Sequence, residues 1–178
     1  MFCLNNSDNR SRGVEDNGAC REEGGILIPE RKVTIDQEQL RYMALFESML
    51  GVPAMDVIND EENERLIFLV GKNMLGRAVG KGGRKLRAFR DMMLKEIGKN
   101  VEVVEYSDDP EVFLRNMFSP ARVVKVIIDE SGKVKTASVF VKKEDKSIAI
   151  GRNGRRIKRA RLLAKRWLGI ENVKIGDA

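Results

Sequence analysis

An internal repeat constrains this chain more than any other feature. Sliding the sequence over itself by 71 residues places Gly80 on Gly151, Gly83 on Gly154, Arg84 on Arg155, Ala78 on Ala149 and Gly98 on Gly169. The apolar positions that follow match as well, with Leu86, Phe89, Met93 and Ile97 falling on Ile157, Ala160, Ala164 and Leu168. Each copy therefore buries one face of a helix and leaves its outer residues basic. The duplication predicts two related modules, at residues 31–107 and 108–178. They follow an arm at 1–30 that is expected to be disordered, because it is rich in Asn, Ser, Gly, Glu and Arg and lacks a periodic apolar pattern.

Within the first copy, Asp36 predicts the cap of a helix over 37–50, with Leu40, Met43, Ala44 and Leu50 recurring at helical spacing and Gly51 and Pro53 as the stop. The apolar-rich runs 54–59 and 64–70 predict a hairpin. A short helical stretch over 72–79 leads into Gly80-Lys81-Gly82-Gly83, then a helix over 84–97 ended by Gly98, then a strand over 101–104. The second copy repeats the order: a short helix opened by Asp109-Pro110 and closed by Pro120, a hairpin of 122–128 and 136–141, and a short helix ending at Ile150. Gly151-Arg152-Asn153-Gly154, a helix over 155–168 and a strand near 173–175 complete it. The expected class is α+β, each module a three-stranded sheet packed against helices, in the element order of the type II KH fold. Met43, Met49, Met55, Met92 and Met93 are expected to fill gaps in the first core, and Trp167 to pack or make a partial surface contact.

Charge gathers at the glycine turns. Residues 151–168 hold 8 Lys and Arg and no acid, and residues 72–99 hold 9 basic residues against Asp91 and Glu96, whereas residues 36–66 hold 8 acids against Arg41 and Arg65. The local field is then far stronger than the net charge of +6. Glycine at both ends of a four-residue turn lets another backbone approach. The helix that follows offers free N–H groups and the positive end of its dipole to a phosphate. The candidate RNA-binding residues are Gly80, Lys81, Gly82, Gly83, Arg84 and Lys85 in the first copy, and Gly151, Arg152, Asn153, Gly154, Arg155, Arg156, Lys158 and Arg159 in the second. The second turn is expected to supply the larger share of the field. A lone Gly-x-x-Gly is common in structural turns; two copies at one place in a repeated fold, each before a basic helix, point to phosphate.

Other chemistries are excluded or unsupported. With no histidine in the chain, no imidazole base, triad or His-ligated metal site can be built. Cys3 and Cys20 lack zinc-ligand spacing and cannot staple the rest, so no metal or cofactor is expected and a reducing cytoplasm is the expected setting. No apolar run reaches the length of a membrane span. Gly76 to Gly82 resembles a P-loop but has three residues between its glycines where four are needed, and a dinucleotide fingerprint starting at Gly80 would need glycine at Lys85. The chain is expected to be a monomer and not an enzyme. A ribosome-associated or RNA-chaperone role is the alternative in the binding class, and an enzyme acting on RNA the alternative outside it.

Three runs carry a family resemblance: Ala78-Val79-Gly80-Lys81-Gly82-Gly83, Val103-Val104-Glu105-Tyr106-Ser107-Asp108-Asp109-Pro110, and Ala149 through Ala164. Over about residues 31–176 the chain resembles the archaeal NusA-like transcription factors. The resemblance implies two type II KH domains packed as one RNA-binding unit. It also implies a role in transcription termination and antitermination through nascent single-stranded RNA and RNA polymerase. In length the chain resembles only the KH portion of the bacterial protein, with no room expected for that protein's amino-terminal polymerase-binding domain or its S1 domain.

Overall fold

A computed structural model describes residues 35–132 and 134–178; the arm expected at 1–30 lies outside them. The first helix, α1 (Gln37–Leu50), starts where Asp36 and Gln39 cap each other's backbone, with Gln39 N–H donating to Asp36 Oδ1 at 2.7 Å and Asp36 N–H to Gln39 Oε1 at 3.0 Å. Gly51, in the left-handed region at φ 69°, ends it. Strands β1 (Ala54–Asp60) and β2 (Arg65–Val70) form an antiparallel hairpin, and α2 (Leu75–Val79) and α3 (Arg84–Ile97) flank the first glycine turn. β3 (Asn100–Glu105) then pairs parallel to β2, giving the order β1-β2-β3.

The second half repeats this plan. It comprises α4 (Pro110–Phe118), β4 (Val123–Asp129), β5 (Thr136–Val141), α5 (Lys146–Ile150), α6 (Arg155–Leu163) running on through a π-helical turn over Ala164–Leu168, and β6 (Asn172–Asp177). The sheet order is β4-β5-β6, with β5 antiparallel to β4 and parallel to β6. The fold is thus α+β, with two three-stranded sheets packed with helices. The hairpins differ in loop length: β1 pairs Asp60 with Arg65, whereas β4 pairs Asp129 with Thr136.

The first core is built on three phenylalanines. Phe46 stacks on Phe68 at 4.5 Å between ring centroids, and Phe89 meets both edge-on. This fixes the inward face of α1 as Phe46 and Leu50 with Met43 partly buried, and corrects the expected stripe: Ala44 is exposed and Leu40 is 60 % exposed. Met93 is buried as expected, but Met49 and Met55 lie at the surface.

Every residue of β2 is buried, because its sheet is covered on both faces. Leu66, Phe68 and Val70 face the helices of their own half. Ile67 and Leu69, with Val104 of β3, join Phe113, Leu114, Met117 and Phe118 of α4 and Ala160, Leu163 and Ala164 of α6 in a second core. The connection between halves is fixed by Tyr106, whose ring lies 5.1 Å from Phe113 and 5.2 Å from Trp167. All described residues accordingly fall in one compact unit.

Candidate nucleic-acid interface

The two glycine turns have the same backbone. Gly80 and Gly151 lie at φ 70°, ψ 175° and φ 75°, ψ 169°, a region that essentially only glycine enters. Gly82 (φ 66°, ψ 16°) corresponds to Asn153 (φ 50°, ψ 28°), and Gly83 (φ 70°, ψ 11°) to Gly154 (φ 70°, ψ 14°). Asparagine is among the few side-chain-bearing residues that visit the left-handed region readily, so one shape is reached by two sequences. Each turn is closed by a 3.0–3.1 Å bond, from Gly83 N–H to Gly80 O and from Gly154 N–H to Gly151 O. A Cβ on Gly82 would meet no atom within 4 Å, so this part of the turn is open to an approaching strand.

Helix capping separates the helices after these turns from α1 and α4. α1 and α4 are capped by the Asp36 and Asp109 carboxylates. α3 and α6, which follow the turns, have no side-chain cap and no acid in their first turn. Their leading N–H groups are left for an anion to accept. Lys81, Arg84, Lys85 and Arg152 are exposed around these termini. Arg87, a residue the sequence pattern did not single out, donates to Gly82 O at 2.9 Å and pins the first turn. Beside the second turn lie exposed Ile148 and Ile150 on α5, and in the first half exposed Met55 lies next to Gly71 and Met74. Only the tertiary fold brings Met55 and Met74 together.

Four of the expected phosphate-facing cations are engaged within the protein. Arg159 is a correction: it is 8 % exposed, bonds Glu102 at 2.7 Å and donates to Met117 O, so it is removed from solvent. Arg155 turns its guanidinium to Asn63 O of the first half, while its own carbonyl accepts from Arg65 at 2.8 Å. Lys158 is exposed but lies 3.3 Å from Glu62. Arg156 bends back to Ile148 O. Three of the eight cations of this helix, Lys158, Arg159 and Arg166, pair with acids of the first half, and Lys165 pairs with Glu171. Arg166 and the Trp167 indole N–H both bond Asp56, a carboxylate with no solvent exposure, at 2.6 and 2.9 Å. Arg65, equally buried, bonds Asp60 at 2.7 Å and Glu102 at 2.9 Å. Burial pushes the Glu102 carboxyl up, but the Arg159 and Arg65 guanidiniums more than offset this and hold it below the usual carboxylate range. Asp60 is likewise held low: burial opposes, and hydrogen bonds from Asn63 and Arg65 prevail.

Among the described residues, no group of three or more His, Cys, Asp or Glu could hold a metal, and no helix is long and apolar enough to cross a membrane. Two α+β modules, each carrying helix, Gly-x-x-Gly and uncapped helix on a three-stranded sheet, define a tandem KH-domain protein. The family model described as the NusA-like second KH domain matches residues 110–175. A probable transcription termination protein NusA of Methanocaldococcus jannaschii is 32 % identical over 145 residues, covering 81 % of this chain and 75 % of the relative. One of Halococcus morrhuae is 33 % identical, covering 81 % and 99 %. The structure titled "Crystal structure of APE1850" superposes with a TM-score of 0.70 at 42 % identity, covering 80 % of this chain and all of that one. The chain belongs to the archaeal NusA family of transcription termination proteins.

Proposed function

We propose that this protein binds single-stranded RNA across its two Gly-x-x-Gly turns and acts on nascent transcripts in termination and antitermination. The observation that carries this reading is the pair of matching turns, each followed by a basic helix whose N-terminus has no carboxylate cap. A Gly-x-x-Gly loop of this kind holds about four nucleotides by their backbone. The phosphates meet the free N–H groups, with Lys81, Arg84 and Lys85 at one turn and Arg152 at the other adding full charge. Ile148, Ile150, Met55 and Met74 offer apolar surface to unstacked bases. RNA polymerase is the protein contact this role implies. Co-purification that survives ribonuclease treatment supports a direct contact, and co-purification abolished by it argues for one bridged by RNA.

The test is charge reversal within each turn, Lys81→Asp with Gly82→Asp and Arg152→Asp with Asn153→Asp. The flanking glycines remain, so circular dichroism and melting should show folded protein. Linked clamps gain affinity from effective concentration, so each double variant should bind single-stranded RNA at least about tenfold more weakly. The first pair should hurt at least as much as the second, because Arg155, Arg156, Lys158 and Arg159 of the second helix are already engaged within the protein. Folded variants with unchanged affinity would overturn the two-turn mechanism.

A further inference from the structure

The repeat supplies a template for a surface that is left open. In the first half, the sheet face opposite its own helices is covered by α4 and α6. On that face Asp56 of β1 stands opposite Leu69, and Glu102 of β3 opposite Ile67. The helix over them brings Arg166 to Asp56 and Arg159 to Glu102, two cations seven residues apart and therefore two turns apart on one face. In the second half, pairing to the central strand puts Lys125 opposite Phe140 and Lys174 opposite Ser138. With Leu69 matched to Phe140 and Ile67 to Ser138, Lys125 takes the place of Asp56 and Lys174 that of Glu102. Both carboxylates have become lysines in the same register.

Among the described residues, no helix covers this face. β5 alternates buried and half-buried residues where β2 is buried throughout. Lys125 and Lys174 are exposed, and Ile127, two residues from Lys125 and opposite Ser138, is 42 % exposed. Phe140 lies across β6 over Gly176, where a Cβ would come within 2.8 Å of its ring, so this glycine keeps the aromatic surface flat.

We propose that this face docks an amphipathic helix of a partner protein that carries two carboxylates two turns apart, flanking an apolar side chain seated on Phe140 and Ile127. The charge inversion selects the occupant. A second copy presenting α6 would set Arg159 and Arg166 against Lys174 and Lys125, so the face rejects head-to-tail addition of this chain and accepts the acidic counterpart. The inference does not depend on RNA binding at the glycine turns.

The test uses the full chain and a stapled helical peptide copying residues 152–169, with the cations other than Arg159 and Arg166 changed to glutamine. One version keeps the two arginines and the other carries Arg159→Glu and Arg166→Glu. By fluorescence anisotropy, the glutamate peptide should bind at least tenfold more tightly than the arginine peptide. Lys125→Glu with Lys174→Glu in the protein should reverse that preference, while leaving affinity for RNA at the turns unchanged. No binding of the glutamate peptide, equal binding of both, or no reversal overturns the proposal. So does a loss of oligouridine affinity in the double variant without peptide binding, which would make the face an RNA platform, or concentration-dependent self-association through it, which would make the occupant a second copy.

Discussion

Asn153 and Gly151 show how unevenly the residues of one turn are constrained. A Cβ on Gly151 would stand 3.1 Å from the Arg156 backbone nitrogen, in a turn where φ is 75° and ψ 169°. Gly151→Ala therefore adds a backbone clash to conformational strain, and should lower stability by about 1–3 kcal/mol. At Gly82 the strain stands alone, since a Cβ there meets nothing within 4 Å, and Gly82→Ala should cost about 1 kcal/mol. Urea denaturation of the two variants should give this order; equal losses would mean that crowding at Arg156 has no weight. The glycines could be read from sequence because spacing alone marks them. The role of Arg87 could not, since its bond to Gly82 O spans five residues of a helix start whose direction only the folded turn sets.

Among the elements, α6 departs most from its sequence reading. Its run of cations points to a phosphate-facing surface, yet it lies over the acidic residues Asp56 and Glu102 of the other sheet. A buried ion pair is weak support for stability compared with apolar packing, but removing one partner strands the other. Arg159→Ala should therefore destabilise the fold by about 3 kcal/mol, at the lower end of such losses because Glu102 retains Arg65. Lys158→Ala, which removes only an exposed contact with Glu62, should change stability by less than about 1 kcal/mol. Calorimetric melting of both checks the contrast. Acid provides a second test. The folded-state pKa values of Glu102 and Asp60 are depressed, so these carboxyls take up protons less readily in the native state than in the unfolded one. Their contribution is fully present above the ordinary carboxylate range and is lost as pH falls through the depressed values. Stability should thus fall below about pH 4.5, and Glu102→Gln should flatten that fall; an unchanged acid limb would remove Glu102 from the account.

At the scale of the whole molecule, the cations left for RNA are fewer than the composition implies. Lys81, Arg84, Lys85 and Arg152 are exposed and have no ion-pair partner among the described residues. Neutralising about 4 phosphates at about −0.7 each gives a log–log salt slope near −3 for single-stranded RNA. A slope of −6 or steeper, measured by titration at several salt concentrations, would mean that the α6 cations do reach the strand. The 71-residue repeat, the glycine spacing and the cap residues Asp36 and Asp109 determined the element order, the α+β class and the position of both turns, because those signals are local and survive in one dimension. The tertiary structure decided which charges are free. Asp56 and Arg166 are 110 residues apart in the chain and 2.6 Å apart in space, and nothing periodic in either segment marks them as partners. The same packing buried Arg159 and covered one sheet while, among the described residues, its duplicate stays open, since a sheet's second face acquires a neighbour only when another part of the chain folds against it.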